Sequence, residues 1–328
     1  MPHAAILSVA SYLPERLLTN ADLEKLVDTS DEWIVSRTGI CERHVAAPDE
    51  NTSDLAARAG TAALSRARVE PGEVDLLIVA TSSPDMLFPS TACLAAHKMG
   101  LSCPAFDLSA ACTGLIYAVG QATSAIESGR ARTVLVIGAD VLTRLIDFTD
   151  RGTCILFGDG AGAFVMRASD KQGVRGVHLG ADGSGAGLLS LPAGGSARPC
   201  SAEAVREGDN FIKMNGNEVF KFAVRQIPVV TRQALAESGL TVDDVTWLVP
   251  HQANTRITAT VAERLGIPVE RVVERIADVG NTSTASIPLA LDGLYTAGNL
   301  HAGDVLALVG FGAGLTWGAA IVTWTGEE

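Results

Sequence analysis

Two pairs of apolar segments in this 328-residue chain are separated by the same number of residues. The segments "VEPGEVDLLIVATSS" and "LTVDDVTWLVPHQAN" both run from a helix end into an apolar strand, and they align with Val74 on Val245. The segments "TVLVIGAD" and "DVLALVGFG" align with Val134 on Val305, which is the same offset. A single apolar run can match another by chance, but two matches at one offset indicate a duplicated structural unit.

The duplication predicts two halves of similar fold, residues 1–170 and 171–328. In each half a helical pattern precedes a continuous apolar strand, and a second helix and strand follow. Continuous apolar strands that alternate with helices are typical of a mostly parallel sheet covered by helices on both faces. The chain is also long for a single core, which agrees with two structural units. We therefore expect an α/β protein with two pseudo-equivalent βαβ-type halves and mostly parallel sheets.

The composition narrows the classes of protein to which the chain can belong. Apolar residues make up 47% and charged residues 19%, which suits a large buried core and not a disordered chain. The net charge of −12 argues against nucleic acid as the main partner, although it does not exclude a local basic patch. No apolar stretch approaches the roughly 20 residues of a membrane span. The opening "MPHAAILSVASYLP" has the pattern of a first strand and not of a signal peptide.

The cysteines form no metal-binding or disulfide framework in the sequence. No pair has CxxC spacing and no cluster with histidine has zinc-ligand spacing, so we expect no metal site. Most lie in apolar surroundings, as expected for reduced thiols of a cytoplasmic protein. They are Cys41, Cys93, Cys103, Cys112, Cys154 and Cys200.

Cys112 lies where a strand-like run ends and a long apolar helix begins, in "DLSAACTGLIYAVG" (107–120). A thiol in the first turn of a helix lies near the positive end of the helix dipole and near unpaired backbone N–H groups. Both favour the thiolate, which is the nucleophilic form of cysteine. Cysteine is also common as an inert buried thiol. From this stretch alone, a nucleophile and a core residue both stay open.

The internal repeat brings His251 and Asn281 towards Cys112. The offset that aligns the repeats carries Cys112 onto position 283, just after Asn281, so the two junctions are pseudo-equivalent. His251 follows an apolar strand, and ligands bind beyond the carboxyl ends of parallel strands. His251 can exchange a proton with Cys112 or donate to a carbonyl, or it can simply cap the next helix. Asn281 can donate to an oxyanion, or it can be a turn residue or a helix N-cap.

Two further segments have features of binding loops. Trp33 and Arg37 lie four residues apart on one face of a short helix in "SDEWIVSRTGI" (30–40). An aromatic ring beside a guanidinium suits an adenine and a phosphate, and an arginine stacked on tryptophan as surface packing fits the pattern equally well. The glycine-rich "GFGAGLTWGAA" (310–320) lacks the Lys-Ser of a P-loop, and it predicts a close approach of backbone to a site.

Together these segments resemble the β-ketoacyl-[acyl carrier protein] synthase III family of thiolase-fold condensing enzymes. The resemblance covers nearly the whole chain, with several motifs in one order at family-like spacing. They are "DEWIVSRTGI", "FPSTAC", "CPAFDLSAACTG", "DRGTCILFGDGAGA", "NGNEVFKFAV", "VPHQANTRI", "GNTSTASIPLAL" and "GFGAGLTWG". It implies a duplicated thiolase-like fold with α/β/α/β/α layers. Half 1–170 would carry the nucleophilic cysteine, and half 171–328 the histidine and asparagine.

The resemblance implies a two-step reaction that starts fatty acid synthesis and needs no cofactor, because acyl-CoA is a substrate. An acyl-CoA primer would transfer its acyl group to Cys112. Malonyl-acyl carrier protein would then lose CO2, and the resulting carbanion would attack the Cys112 thioester to give a β-ketoacyl-carrier protein. His251 and Asn281 match the pair that donates hydrogen bonds to the malonyl thioester carbonyl. The backbone N–H groups of Cys112 and Ala313 match the acyl oxyanion hole.

The resemblance also assigns binding residues, and the partners would be a carrier protein and a second copy of the chain. The positions that match CoA-binding residues are Trp33, Arg37, Arg151, Asn217 and Asn254. The positions that match carrier-protein docking residues are Lys221 and Arg256. The acyl pocket would be formed by Leu156 and Phe157, and Phe88 would close the pocket of the partner subunit in a homodimer. Neither nucleic acid nor a membrane is an expected partner.

Four other functions are alternatives to this one. A priming synthase of a polyketide or other secondary pathway would use the same residues, so it stays open, as does the choice of an acetyl, branched or longer primer. An acyltransferase to a different acceptor would often alter the His–Asn pair, and a non-catalytic subunit would be expected to lack Cys112. A cysteine hydrolase would need a carboxylate that orients its histidine, and no local motif supplies one.

Overall fold

The computed structural model describes residues 2–326. The β-strands are β1 (His3–Tyr12), β2 (Arg16–Thr19), β3 (Glu42–Val45), β4 (Leu76–Ala80), β5 (Ala105–Leu108), β6 (Thr133–Val141), β7 (Asp159–Ser169), β8 (Val174–Ala181), β9 (Leu189–Ser190), β10 (Lys213–Met214), β11 (Trp247–Pro250), β12 (Val305–Gly312) and β13 (Thr316–Thr323). The α-helices are α1 (Asn20–Leu23), α2 (Asp31–Thr38), α3 (Thr52–Arg66), α4 (Thr91–Met99), α5 (Gly114–Glu127), α6 (Arg151–Cys154), α7 (Ala202–Arg206), α8 (Gly216–Glu237), α9 (Thr255–Leu265), α10 (Ile276–Val279) and α11 (Ser286–Thr296). Within the described range, no helix has both the length and the apolar character needed to cross a bilayer.

The N-terminal sheet has the strand order β1-β7-β6-β4-β5. β4 pairs in parallel with β5 and β6, whereas β7 pairs antiparallel with both β6 and β1. Four strands therefore point one way and β7 is reversed. The expected mostly parallel sheet is confirmed. The reversed strand was not expected, because a buried strand has the same apolar pattern in either direction.

The C-terminal sheet has the order β11-β12-β13-β8, with β13 as its reversed strand. Read from its β8 edge, the C-terminal sheet has the order β8-β13-β12-β11. This order corresponds to β1-β7-β6-β4 in the N-terminal sheet. The offset of the internal repeat carries His3, the start of β1, onto Val174, the start of β8. A bridge between Leu248 and Val272 occupies the place of β5. The two sheets thus share a strand order, and the boundary at residue 170 stays a prediction.

Helices and sheets alternate in five layers, as the resemblance implied. Helices α3 and α4 share a buried cluster with Leu77 and Val79 of β4. Ile78, the residue between them, joins a second cluster with α5, α11 and Leu308 of β12. These two helices therefore lie between the sheets. Val309 joins a third cluster with α8 and α9. Neighbouring residues of a strand face opposite layers because side chains alternate across a sheet, and this produces the α/β/α/β/α order.

Two 3₁₀ turns lead into α5 and α11, the helices between the sheets, and the first of these turns contains Cys112. Ala111–Thr113 precedes α5, and Ser283–Ala285 precedes α11. Each contains a non-glycine residue in the left-handed region, Ala111 at φ +47° and Ser283 at φ +51°. Such backbone is costly and persists only where its surroundings hold it. The two turns meet where the two halves of the chain face each other.

Candidate active site

Cys112 lies in the turn between β5 and α5. The end of β12 approaches this turn through backbone atoms. A Cβ added to Gly312 would lie 2.8 Å from the backbone nitrogen of Cys112 and 3.1 Å from that of Thr113, and the shorter contact is closer than real Cβ atoms come. The close backbone approach predicted for the glycine-rich segment is therefore present, and it is directed at the cysteine.

The surroundings of Cys112 oppose ionisation of its thiol. Burial raises the pKa of Cys112 to about 11, and the nearby Asp140 carboxylate acts in the same direction. One side chain acts in the opposite direction, because the Ser283 hydroxyl donates a hydrogen bond to the sulfur over 3.3 Å. The thiolate population near neutral pH therefore depends on the hydrogen-bond donors around the sulfur.

His251 follows β11, and its backbone N–H donates to the Val309 carbonyl over 2.7 Å. The side chain is only 3% exposed. Burial lowers the pKa of His251 to about 3, so the imidazole is neutral near pH 7. Its Nδ1 lies 2.7 Å from Ser286 Oγ, and the Phe311 ring packs against it edge-on at a centroid distance of 5.6 Å. When Ser286 donates to Nδ1, Nε2 carries the hydrogen and becomes the donor.

Asn281 is held by backbone and side-chain hydrogen bonds. Its backbone N–H donates to the Leu156 carbonyl over 2.9 Å, and its own carbonyl accepts from the Gly158 N–H over 3.0 Å. The side-chain Oδ1 accepts from the Ser283 backbone N–H over 3.0 Å. Because the amide oxygen is occupied in this way, the Asn281 NH2 group is the one available as a donor.

Cys112, His251 and Asn281 line one cavity of about 110 Å³. Three distant parts of the chain therefore bring the Cys112 thiol, a candidate nucleophile, into one cavity with two neutral side chains that can donate hydrogen bonds. Most of the remaining lining is apolar, and it includes Leu156, Phe157, Leu189, Val219, Phe220, Ile257 and Phe311. Hydrogen bonds in such apolar surroundings are electrostatically stronger than in water.

Cys112 also lines a second cavity of about 90 Å³, together with Ala313. Its apolar lining includes Leu142, Leu145, Leu189, Leu191 and Ile212, none of which was named individually as a pocket residue from the sequence. Of the residues expected in the acyl pocket, Phe157 lines both cavities and Leu156 lines only the first. Phe88 lines neither of these cavities, and its side chain is 84% exposed.

Trp33, Arg37 and Arg151 form a cluster beside the first cavity. The Cζ atoms of Arg37 and Arg151 lie 5.5 Å and 4.8 Å from the centroid of the Trp33 ring. Asn254 Nδ2 donates to the Arg37 carbonyl over 2.9 Å, and Asn254 also lines the cavity that contains His251. The structure thus brings together four of the five residues expected at the CoA site, next to the candidate nucleophile.

The other surface residues expected from the sequence lie on α8 and α9. Asn217, Lys221 and Arg256 are exposed. Lys221 Nζ is 2.7 Å from Glu218 Oε1, an exposed ion pair that contributes little stability and exchanges readily with solvent. Arg256 lies over the ring of Phe220 at 5.7 Å, and Phe220 lines the first cavity. Both cations are therefore accessible to a partner near the cavity.

Sequence reasoning missed three polar residues around the site, Ser283, Ser286 and Asp140. Asp140 accepts from the backbone N–H and the hydroxyl of Thr284, over 3.1 Å and 2.7 Å, and so holds the turn that carries Ser283. The repeat contained a signal for Ser283, because it is the residue at the Cys112 offset. No local pattern marked Ser286 or Asp140, whose contacts join distant segments. Among residues 2–326, no group of three or more His, Cys, Asp or Glu residues could hold a metal ion.

Comparisons with known proteins agree with this geometry. The family model of 3-oxoacyl-[acyl-carrier-protein (ACP)] synthase III matches residues 106–183, and the model of its C-terminal part matches residues 235–324. A β-ketoacyl-[acyl-carrier-protein] synthase III of Desulfitobacterium hafniense is 50% identical over 327 residues, which is 99% of each chain.

Two solved structures show the same similarity over the full chain. The β-ketoacyl-[acyl carrier protein] synthase III of Thermus thermophilus superposes with a TM-score of 0.90 at 50% identity, over 98% of this chain and 99% of that one. The priming β-ketosynthase from the R1128 polyketide biosynthetic pathway superposes with a TM-score of 0.93 at 38% identity, over 100% and 98%. With Cys112 inside one matched segment and His251 and Asn281 inside the other, this chain belongs to the β-ketoacyl-[acyl carrier protein] synthase III family of acyltransferase condensing enzymes.

Proposed function

We propose that the chain condenses an acyl-CoA primer with malonyl-acyl carrier protein to give a β-ketoacyl-acyl carrier protein, the first condensation of fatty acid synthesis. The observation that carries this proposal is the shared cavity of Cys112, His251 and Asn281. It contains one nucleophile and two neutral donors. That set can form a thioester and stabilise an enolate without a metal ion or a cofactor.

In the first half-reaction, the Cys112 thiolate attacks the carbonyl carbon of the acyl-CoA thioester. The new S–C bond forms as the C–S bond to CoA breaks, and the CoA thiolate takes up the proton that Cys112 released. The carbonyl oxygen carries negative charge in between. The backbone N–H groups of Cys112 and Ala313 would stabilise that charge, and Ala313 lines the cavity next to Cys112.

In the second half-reaction, the malonyl thioester loses CO2 and its electron pair passes into an enolate. His251 Nε2 and the Asn281 amide would donate to the enolate oxygen. A neutral donor suits this step, because the buried imidazole stays uncharged at working pH and its hydrogen bond strengthens as charge develops. The enolate carbon then attacks the Cys112 thioester, and the Cys112 thiolate leaves.

The substrates would enter along the surface cluster beside the cavity. Trp33 and Arg151 would hold the adenine of CoA, Arg37 would lie by its phosphates, and Asn217 and Asn254 would line the pantetheine path. The flat ring near two guanidinium groups suits an adenine, and the cations suit phosphates.

An acidic carrier protein would dock on the exposed Lys221 and Arg256. This local basic surface is compatible with the overall charge of −12, because docking depends on the field at the contact face. We place the reaction in the cytoplasm, where both substrates would be available.

We further propose a homodimer formed through the open edge of the N-terminal sheet. β5 is the edge strand, and its Phe106 is 42% exposed. The neighbouring loop exposes Met86, Leu87 and Phe88, at 47%, 76% and 84%. Unpaired strand edges and contiguous apolar surface are typical of protein interfaces. In this dimer, Phe88 of each subunit would close the acyl cavity of the other subunit.

A priming synthase of a polyketide or related pathway is the second candidate. The observation that favours it is the 0.93 TM-score to the R1128 priming β-ketosynthase, over the full length of this chain. Its chemistry would be the same, so the preferred primer separates the two functions. A preference for an unusual primer over acetyl-CoA and simple branched primers would favour the second candidate.

The test of the proposed function is turnover with separate readouts for its two half-reactions. Wild-type protein with acyl-CoA and malonyl-carrier protein should release CO2 and form a β-ketoacyl-carrier protein, detected by mass spectrometry. Asn281→Ala should still accept the acyl group from acyl-CoA but should release little CO2. Wild-type protein that forms no condensed product with any primer in a broad panel would overturn the proposal.

A further inference from the structure

We propose that Ser283 is a further catalytic residue, whose hydroxyl donates a hydrogen bond to the Cys112 thiolate that attacks the primer. Nothing in the Cys–His–Asn assignment includes this residue. The inference rests on the proposed function, because it assigns a role within the acyl transfer to Cys112.

The contact is direct. Ser283 Oγ lies 3.3 Å from Cys112 Sγ, and the serine is only 1% exposed. The two residues are 171 positions apart, which is the offset of the internal repeat, so each is the counterpart of the other in the opposite half. A hydrogen bond to an ionised acceptor is about twice as strong as one between neutral groups. The Ser283 hydroxyl therefore stabilises the thiolate more than the thiol.

The position of the hydroxyl is set by its neighbours. Ser283 adopts φ +51°, a conformation that serine avoids unless the surrounding structure holds it. Its backbone N–H is held by Asn281 Oδ1 at 3.0 Å. The next residue, Thr284, donates through both its N–H and its hydroxyl to Asp140. The turn thus aims one hydroxyl at the sulfur while its backbone orients the Asn281 amide.

The other groups around Cys112 either oppose ionisation of its thiol or carry no charge, so the hydrogen bond from Ser283 matters for the thiolate. Burial opposes the thiolate most, and the Asp140 carboxylate acts in the same direction. His251 shares the cavity, but it is buried and uncharged near pH 7. Ser283 is the side chain that favours the thiolate by a direct hydrogen bond.

The same contact serves both bond exchanges at the sulfur. During priming, the thiolate attacks and becomes a neutral thioester as CoA leaves. During condensation, the carbon–sulfur bond breaks and the thiolate forms again as the leaving group. A donor next to the sulfur lowers the energy of the charged state at the start of the first step and at the end of the second.

The experiment measures the pKa of Cys112 by alkylation. Ser283→Ala removes the hydroxyl, and Ser283→Gly removes it while relieving the positive φ, so at least one variant should fold. Both are treated with iodoacetamide across a pH series, and the Cys112 peptide is followed by mass spectrometry. We expect the fitted midpoint to rise by roughly one pH unit, which appears below pH 10 as a roughly tenfold lower alkylation rate at each pH, including pH 7.5.

Thr282→Val is the matched control. Thr282 is the preceding residue, it is fully buried, and its hydroxyl has no hydrogen-bond partner in the described structure. Its variant should show the wild-type midpoint. A wild-type midpoint in either Ser283 variant, or an equal shift in Thr282→Val, would overturn the inference. Because iodoacetamide needs no acyl-CoA, this result is independent of whether wild-type protein accepts a primer, which tests the proposed function itself.

Discussion

At the scale of single residues, the site uses uncharged donors in an apolar cavity. His251 is neutral because burial opposes its protonation, and Asn281 presents its NH2 group because its Oδ1 is occupied by the Ser283 N–H. Such donors stabilise a developing oxyanion without attracting the malonyl carboxylate into a strong ion pair. A cationic residue at either position would bind that carboxylate and oppose the loss of CO2.

The low pKa of His251 predicts a specific pH dependence of folding. Its folded pKa of about 3 lies below the ordinary value of 6.5, so the unfolded chain takes up the proton first as the pH falls. The contribution of the neutral imidazole to stability is complete above pH 6.5 and is lost progressively as the pH approaches 3. Between pH 6.5 and pH 4, wild-type protein should lose roughly 3 kcal/mol more unfolding free energy than His251→Gln.

Denaturant unfolding at each pH measures this difference. His301→Gln is the control, because His301 is exposed and far from the cavity in sequence. It should follow the wild-type pH profile. Parallel profiles for wild type and His251→Gln would show that the buried imidazole is not held neutral.

Candidate residues could be proposed from the sequence where a chemically suitable side chain lies in a recognisable local pattern, and the structure places three of these candidates in one cavity. Cys112 was found because a strand–helix junction is a recognisable pattern, and the repeat brought Asn281 near it. Ser286 and Asp140 could not be found, because each acts through a contact with a residue 35 or more positions away. Serine and aspartate are common, and only the folded structure shows which of them face the site.

At the scale of secondary-structure elements, the end of β12 meets the Cys112 turn in a close backbone contact. The turn lies against the strand end with no room for a side chain at Gly312. The backbone N–H groups around Cys112 therefore depend on this glycine for their position.

Gly312→Ala should displace the Cys112 turn. Its Cβ would lie 2.8 Å from a backbone nitrogen, which cannot move aside as a flexible side chain can. We expect acylation by acyl-CoA to slow by on the order of 100-fold, since a shift of about 1 Å in reacting groups costs that much.

Gly310→Ala is the matched control on the same strand, because its Cβ would meet the Ile116 Cδ1 at 3.2 Å, and that side chain can adjust. Acylation rates of the two variants, measured with circular dichroism to verify folding, provide the comparison. An equal loss in both, or none in Gly312→Ala, would contradict the role of this contact.

The sequence analysis predicted the strands but not the reversed direction of β7 and β13. The reversal of β13 follows from its short connection to β12, residues 313–315, which only an antiparallel pair can use. That signal was present in the glycine-rich segment and was not used. The connection from β6 to β7 is long, so it is compatible with either direction, and the reversal of β7 had no local signal.

At the scale of the whole molecule, the candidate active site lies where the two repeats meet. Each half supplies one 3₁₀ turn before a central helix, and the two turns meet at Cys112 and Ser283. One copy carries Cys112, the candidate nucleophile, and the other carries His251 and Asn281, the candidate donors. The offset of the internal repeat therefore predicted both the paired sheets and the meeting of the two turns that contain Cys112 and Ser283. The size and shape of the second cavity could not be predicted, because its lining comes from separate loops whose packing no sequence period describes.

The exposed apolar surface around β5 predicts self-association. Leu87→Asp places a charge within the exposed patch and should convert a dimer to a monomer, because burying an unpaired charge is costly. Val269→Asp is the control, since Val269 is also an exposed apolar residue, at 67%, but lies beside α9. Analytical ultracentrifugation should show a dimer for wild type and the control. A monomeric wild type, or a dimeric Leu87→Asp, would contradict the proposed interface.

The proposed reaction depends on the formation of a thioester at Cys112, which intact-protein mass spectrometry detects. Wild-type protein and Cys112→Ala are exposed briefly to a panel of acyl-CoAs. We expect a single acyl adduct on wild type, its absence from the alanine variant, and its discharge when malonyl-carrier protein is added. Equal labelling of both proteins, or no labelling of wild type by any acyl-CoA, would show that Cys112 does not accept the primer.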